Sequence, residues 1–254
     1  MKVAYLWGVD FTNILKQPSD IDDVYVILPV DEPNFPVLSQ SAIRELLGAR
    51  TIGVPYSEGS IIQALSEINP DVIISMGWRR VLGERVLDAF TDTLFINIHP
   101  AILPQYKGYH TEPYVIINGE VEHGITAHRL TKGLDEGGIF HQVRFPISKF
   151  STTASIKKQA YDLMPEFVRE LRSLLSEGRL LESAQDASLT KVVAPKRNAS
   201  DSEINPEKTL SELFNQIRAC DSRQYPAFFY VDGQKVFISM WRADDAQREH
   251  ELEL

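Results

Sequence analysis

Short apolar runs rich in β-branched residues alternate with segments of helical spacing through the first hundred residues of the chain. Five of these runs predict strands, at residues 2–7, 23–28, 51–54, 71–76 and 94–98. The intervening segments predict helices near residues 38–48, 59–68 and 80–90. Strands that alternate with helices at this interval indicate a parallel sheet covered on both faces. We therefore expect an α/β protein with an open, mostly parallel sheet.

The pattern changes after residue 98, where a proline-rich loop begins. It is followed by a predicted short helix, two strands at residues 124–130 and 138–147, and a long amphipathic helix at residues 151–177. The remaining chain predicts a helix at 206–219, a hairpin at 226–240 around Asp232-Gly233, and a charged tail. We expect a main domain at residues 1–180, including the long helix, and a small C-terminal region at 181–254.

The amino-acid composition limits which partners and which cellular compartment we expect for this protein. A net charge of −9 argues against a surface that grips nucleic acid, because phosphate contacts need clustered Lys and Arg. The single cysteine, Cys220, excludes an internal disulfide, as is common in a reducing compartment. No apolar run approaches the roughly 18 to 20 residues that span a bilayer, and the N-terminus shows no basic leader. We expect a soluble, cytoplasmic protein without membrane partners.

Two polar residues interrupt the fifth predicted strand. Asn97 and His99 alternate along it and therefore share one face, and Pro100 ends the strand immediately after them. Ligands bind at the carboxyl ends of strands in open parallel sheets. The spacing alone leaves two hypotheses open: a hydrogen-bonded pair in the core, or an amide and an imidazole that stabilise a developing oxyanion.

A glycine-rich turn, KGLDEGGI at residues 132–139, carries a possible third member of this group. Asp135 is either a turn former or an acid that reaches back over the sheet edge. Five of the six histidines fall within 43 residues, from His99 to His141, a clustering that could also indicate a metal centre. Metal-ligand spacings such as H-x-H are absent, so we expect no metal site and place His123 and His141 at the surface or at strand ends.

Three motifs resemble the folate-dependent formyltransferase family. They read NIHPAILPQYKG at residues 97–108, NGEVEHGIT at 118–126 and GLDEGGI at 133–139, and Gly138 departs from the acid common in that family. The resemblance implies a Rossmann-like formyltransferase fold and transfer of a formyl group from 10-formyltetrahydrofolate to a primary amine. It also implies that Asn97, His99 and Asp135 form the catalytic group. Asn97 and a protonated His99 would stabilise the oxyanion, and Asp135 would keep His99 charged and help remove the proton of the amine.

The same resemblance implies a folate site and an acceptor site. The folate would be held by Arg80, Val81, Leu82, Gly133 and Leu134. The C-terminal region, with its Pro-Lys-Arg and its aromatic hairpin, resembles amino-sugar N-formyltransferases. This implies a nucleotide-linked amino sugar of the dTDP, UDP or GDP type as the acceptor, a precursor of bacterial surface polysaccharide such as the O-antigen of lipopolysaccharide. The acceptor loop would supply Tyr106, Lys107, Gly108, Tyr109 and His110.

Other interpretations stay open at this point. The acceptor amine could belong to methionyl-tRNA or to a carrier-bound amino acid, or the chain could be a catalytically silent relative that binds folate or a nucleotide sugar. His128 alternates with Thr126, and we expect it to pack under the site. The aromatic hairpin is either a cover for the core or a contact of a homodimer.

Overall fold

A computed structural model of the chain describes residues 1–8, 23–31, 45, 50–78, 80–220 and 224–240. The helix predicted near residues 38–48 lies outside these residues apart from Glu45, and so does the charged tail. Within the described residues, seven strands form one sheet in the order β3-β2-β1-β4-β5-β7-β8. The strands of this sheet are β1 (Lys2–Trp7), β2 (Asp23–Pro29), β3 (Thr51–Val54), β4 (Val72–Met76), β5 (Leu94–His99), β7 (Glu122–Arg129) and β8 (Ile139–Pro146).

The predicted open sheet is confirmed. Strands β1 to β5 pair in parallel, and β7 pairs with β5 in the antiparallel direction. The central strand β1 is almost wholly buried, as expected for an apolar strand that has neighbours on both sides. The carboxyl ends of β1, β4 and β5 therefore meet at one edge of the sheet.

Helices pack on the sheet through apolar residues spaced by three and four. α1 (Glu58–Ile68) begins at the N-cap Ser57, whose hydroxyl accepts from Ser60 N, and ends at Asn69 in the left-handed conformation. Its buried face packs on side chains of the sheet in a cluster that includes Ala4, Leu6, Ile27, Ile61, Leu65 and Ile73. The short helix α2 (Glu84–Ala89) adds Val86 to the same cluster.

The chain divides into two compact units. The first comprises residues 1–108, 124–145 and 159–193, and the second comprises 109–123, 146–158 and 194–254. Residues 181–193 belong to the first unit because Ser183 exchanges two backbone hydrogen bonds with Ile139, at 2.7 and 2.8 Å.

Another two-stranded pairing joins β6 (Tyr106–Gly108) to β9 (Val192–Ala194), which lies at the end of that segment. The long helix α4 (Thr153–Ser176) begins in the second unit and continues in the first, at Gln159. Its observed bounds agree with the predicted helix at 151–177, and Pro165 lies inside it.

The second unit has its own small core. α3 (Thr111–Ile117) packs against α5 (Leu210–Ala219), which explains why residues 109–123 join the C-terminal region. α5 begins four residues after the predicted start, because Thr209 and Glu212 form a capping box there. The predicted hairpin is present as β10 (Ala227–Val231) and β11 (Gln234–Ile238), joined by Asp232 and Gly233 with positive φ.

Among the helices of the described residues, none has the length and apolar character needed to cross a membrane.

Candidate active site

Strand β5 places Asn97 and His99 on one face at the carboxyl edge of the sheet of the first unit. The antiparallel register sets Asn97 directly opposite His128 of β7, and His99 opposite Thr126. The Asn97 amide Nδ2 lies 3.2 Å from His128 Nε2. The two polar interruptions of the strand therefore face a third polar residue across the pair.

Asp135 reaches the same group from the turn between β7 and β8. Its backbone is left-handed, with φ of 51°, a conformation that Asp tolerates better than most residues. Gly137 is required in this turn because a Cβ atom there would collide with Arg129 O. The Asp135 side chain is 10% exposed, and its Oδ2 accepts from Gly108 N at 2.8 Å.

Four side chains thus form one polar cluster, which consists of Asn97, His99, His128 and Asp135. Asp135 Oδ2 lies 3.9 Å from His99 Nε2, and Asp135 Oδ1 lies 3.4 Å from His128 Nε2. The structure brings together all three residues that the sequence proposed as catalytic. It also adds His128, which is 2% exposed and packs under the site as expected.

The protonation state of His99 differs from the expected one. Its Nε2 lies 3.1 Å from Tyr106 O, and because a carbonyl oxygen only accepts, Nε2 carries the proton. Burial lowers the pKa of His99, and this effect outweighs the raising effect of Asp135. His99 is therefore neutral near pH 7, with a lone pair on Nδ1, whereas the sequence interpretation had it charged.

Asp135 is ionised in the same environment. Burial raises the pKa of its carboxyl group, but the neighbouring His99, the contact with His128 and the hydrogen bond from Gly108 N together hold that pKa well below its usual range. The cluster thus combines a carboxylate, a neutral imidazole and an amide.

His128 could have been found from the sequence by pairing its strand with the strand of Asn97. GITAHRL alternates so that Thr126 and His128 share a face, and an antiparallel partner would place that face beside Asn97 and His99. His128 Nδ1 lies 2.9 Å from Arg129 O and carries a proton for the same reason as His99 Nε2. Its Nε2 is the ring nitrogen shared between Asn97 and Asp135.

Thr126 fixes the loop that follows β5. Its hydroxyl donates to Ala101 O at 2.6 Å and accepts from Leu103 N at 3.3 Å. Gln142 Nε2 donates to both Thr126 Oγ1 and Leu103 O, at 2.9 and 3.0 Å. These bonds hold the loop backbone close to the end of the strand, where His99 is.

The residues expected to hold folate differ in their exposure to solvent. Val81 and Leu134 are 70% and 41% exposed, and the Arg80 guanidinium lies over the Tyr56 ring at 4.4 Å. The Leu82 side chain is buried in the core cluster that also contains Val86. The turn that carries Gly133 and Leu134 is tied to α2, because Lys132 Nζ lies 3.2 Å from Glu84 and 3.1 Å from Asp88.

The acceptor residues require a correction. Tyr106 and Lys107 are 2% and 7% exposed, so they do not present the open aromatic face and cation that the loop composition suggested. They are buried because β6 pairs with β9. Gly108 donates to Asp135 instead of facing solvent. Tyr109 and His110 belong to the second unit, where His110 lines a small pocket together with Lys157 and Arg197.

Two further histidines lie outside the cluster. His123 is buried, at 1% exposure, and is the second residue of β7, in agreement with a position at a strand end. His141 is partly buried, and its Nε2 lies 3.0 Å from Glu170 Oε2. Within the described residues there is no group of three or more His, Cys, Asp or Glu side chains that could hold a metal ion.

Comparison with known proteins identifies the class. Residues 49–170 match the family model described as Formyl transferase. The matched segment contains Asn97, His99, His128 and Asp135. Residues 49–170 of the chain therefore form a formyl transferase domain.

Within that class, the fold resembles sugar N-formyltransferases over nearly its whole length. The structure of Rv3404c from Mycobacterium tuberculosis, whose description suggests a sugar N-formyltransferase, has a TM-score of 0.72 at 18% identity, covering 94% of this chain and 96% of that one. A 4-N formyltransferase from Francisella tularensis gives a TM-score of 0.68 at 20% identity, over 94% and 96% of the two chains. HypX from Aquifex aeolicus in complex with tetrahydrofolic acid gives 0.64 at 18% identity, over 94% of this chain and 37% of that one.

Proposed function

We propose that this protein transfers a formyl group from 10-formyltetrahydrofolate to the primary amine of a nucleotide-linked amino sugar. The observation that carries the proposal is the cluster of an amide, a neutral imidazole and a carboxylate at the carboxyl edge of the sheet, within the matched formyl transferase domain. The reaction needs no metal, because the cluster itself offers a hydrogen-bond donor and two proton acceptors.

10-Formyltetrahydrofolate supplies the formyl carbon when bound. The neutral amine forms the new bond to that carbon, and the electron pair of the carbonyl bond moves onto the oxygen. The Asn97 amide donates to this oxygen as its negative charge develops. The carbonyl bond then re-forms, and the folate nitrogen leaves with the electron pair of the broken carbon–nitrogen bond and takes up a proton, which balances the proton lost by the amine.

The proton of the attacking amine needs an acceptor. Within the described residues, His99 Nδ1 has no hydrogen-bond partner, and the neutral ring leaves its lone pair available. The pair of His99 and Asp135 takes the proton, and the nearby carboxylate stabilises the imidazolium that forms. The mechanism thus assigns His99 the role of a base, in place of the pre-charged donor that the sequence interpretation gave it.

The residues around the cluster fit a folate. Val81 and Leu134 are exposed apolar side chains that a pteridine ring could cover, and burying such surface is favourable. Arg80, stacked on Tyr56, offers a charged group for the acidic part of the molecule. Leu82 and Gly133 would contribute through their backbones. The tetrahydrofolate complex of HypX, which shares the fold, supports the choice of co-substrate.

The choice of acceptor rests on the C-terminal part of the chain. The similarity to Rv3404c and to the Francisella enzyme extends over 94% of this chain and includes that part. This supports an amino-sugar acceptor, with the product serving as a precursor of bacterial surface polysaccharide made in the cytoplasm. Tyr109 and His110 remain our candidates for contacts to the acceptor.

The proposal is tested by incubating the purified protein with 10-formyltetrahydrofolate and a panel of amines, and by following the loss of the folate. The panel contains dTDP-, UDP- and GDP-linked 3-amino and 4-amino sugars, with methionyl-tRNA and a carrier-bound amino acid as competitors. We expect turnover with one class of nucleotide-linked sugar. Turnover with methionyl-tRNA or the carrier-bound amino acid alone would identify that amine as the acceptor instead. No turnover with any amine would contradict the enzyme assignment for these acceptors.

We also propose that the hairpin of the second unit contacts a second copy of the chain. Tyr230, Val231, Val236 and Phe237 are between 38% and 60% exposed, an apolar surface that supports an interface. Light scattering after gel filtration is expected to give the mass of a dimer for the wild type and of a monomer for Phe237→Asp. A monomeric wild type at micromolar concentration would contradict this part.

A further inference from the structure

Gln185 lies in the segment after α4, which the sequence assigned to the C-terminal region, yet it contacts the turn that carries Asp135. Its amide Nε2 donates to Asp135 O at 2.9 Å and to Gly137 O at 2.7 Å. The two hydrogens of the Gln185 amide thus bind two carbonyl oxygens of the same turn, which belong to residues two apart in the chain. Gln185 is the side chain that closes this turn from outside.

The turn needs external support. Asp135 has positive φ, which is unfavourable for a residue with a Cβ atom, and Gly137 packs directly against Arg129 O. Such backbone geometry persists when surrounding groups hold it in place. Hydrogen bonds to the carbonyls on both sides of Glu136 restrict rotation of the backbone at the residue whose side chain enters the polar cluster.

The orientation of the Gln185 amide is determined by its partners. If the amide were turned over, Oε1 would face two carbonyl oxygens, which cannot donate. In the observed orientation, Oε1 is buried and has no hydrogen-bond partner within the described residues. A buried acceptor without a partner is costly, so stability alone does not explain this arrangement.

Neighbouring contacts of the same segment hold other parts of the turn. Ile139 and Ser183 exchange two backbone hydrogen bonds, and Arg129 donates from Nε and Nη2 to the Glu182 carboxylate. These contacts fix the two strand ends. Gln185 differs because its bonds reach Asp135 and Gly137 themselves.

We propose that Gln185 is a positioning residue of the transfer reaction, which acts by holding the Asp135 turn so that the carboxylate stays beside His99 and His128. The inference rests on the proposed function, and it adds a residue from outside the matched segment 49–170. No motif of the sequence pointed to it.

The first test is kinetic and uses Gln185→Met, which keeps the length of the side chain and removes both donors. We expect kcat/KM to fall about 10- to 100-fold, because a misplacement of about 1 Å can cost about 100-fold in rate. The matched control is Gln63→Met, an exposed residue of α1, which should keep the wild-type value. If Gln185→Met does not fold by circular dichroism, Gln185→Glu replaces it.

A double-mutant cycle separates positioning from general destabilisation. In an Asp135→Asn background, the further loss caused by Gln185→Met should be less than about twofold, because residues that act through one another are not additive. A full additional loss in that background would overturn the proposal, and so would wild-type kcat/KM in the single variant.

A second readout does not depend on catalysis. Asp135 raises the pKa of His99, so a displaced Asp135 must let that pKa fall further. The titration of the His99 imidazole, followed by nitrogen-15 NMR, should move to lower pH in Gln185→Met and stay in place in Gln63→Met. An unchanged His99 titration would overturn the positioning role even if no acceptor amine were found. Conversely, a shifted titration in a protein without turnover would contradict only the proposed function.

Discussion

Replacing Asn97 by aspartate separates a catalytic amide from a structural one, because the two side chains have the same shape. The wild-type amide Nδ2 lies 3.2 Å from His128 Nε2. An aspartate oxygen at that position can keep the contact between β5 and β7 only by accepting from a protonated His128 Nε2, so the variant pairs a carboxylate with a His128 imidazolium. If Asn97 is only a core partner of His128, the substitution should be tolerated by both the fold and the reaction.

If Asn97 donates to the oxygen that gains charge, the outcome is different. Loss of one such donor costs about 10²- to 10³-fold in kcat, or about 2.7–4 kcal/mol of transition-state stabilisation. The introduced carboxylate adds repulsion of the developing negative charge, so Asn97→Asp should be slower than Asn97→Ala. Its folded state, in contrast, should be more stable than that of the alanine variant, because a charge-assisted hydrogen bond to His128 is worth about 1.5–3 kcal/mol and alanine makes none.

The opposite order of the two variants in rate and in stability is therefore the expected result. Single-turnover measurements of formyl transfer at saturating folate give the rates, and urea denaturation gives the free energies of unfolding. An Asn97→Asp enzyme within about tenfold of the wild-type rate would refute the assignment of the amide as an oxyanion donor. So would rates that simply follow stability across the series.

The remaining predictions address protons and folate. Because burial depresses the pKa of His99 and the neutral ring is the active base, kcat/KM should decline only as the pH falls through that depressed pKa. A decline as the pH rises through neutrality would instead indicate that the protonated form of His99 is the active one. Asp135→Asn should lower kcat about 10²- to 10⁴-fold, as for other acid–base groups, while circular dichroism shows an intact fold; loss of stability with normal kcat would indicate a turn former. Val81→Ser should raise the folate Kd about tenfold by calorimetry, since about 1–2 kcal/mol of apolar contact is lost, and so should Leu134→Ser. The equally exposed Val121→Ser serves as the control and should leave the Kd unchanged.

The sheet and the catalytic residues were accessible from the sequence because both follow from local patterns. The β-branched runs of β1 to β5 are nearly continuous, as in strands that are buried on both faces. Asn97 and His99 stand out because they break such a run at alternate positions before a proline. Asp135 stands out because glycines surround it, and a collision at Gly137 shows why the turn needs them.

The features that were missed depend on contacts between segments far apart in the chain. The loop at Tyr106 and Lys107 has the composition of an open binding loop, but its burial is decided by β9, more than eighty residues later. The charge of His99 is likewise set by burial and by a carbonyl oxygen that no pattern places beside it. Residue types alone favour a charged imidazole next to an acid, whereas desolvation favours the neutral ring.

The boundary between the units has a consequence for the chemistry. The long helix ends at Ser176, and its end suggested that a catalytic domain closes near residue 180. A chain cut there would keep Asn97, His99 and Asp135. It would lose Ser183 and Gln185, which hold the Asp135 turn, and it would also lose β9, the strand that pairs with β6. Gly108, the donor to Asp135 Oδ2, lies at the end of that β6 strand. Both the backbone and the side chain of Asp135 therefore depend on residues 181–193, and the smallest unit able to hold the carboxylate in place extends at least to residue 193.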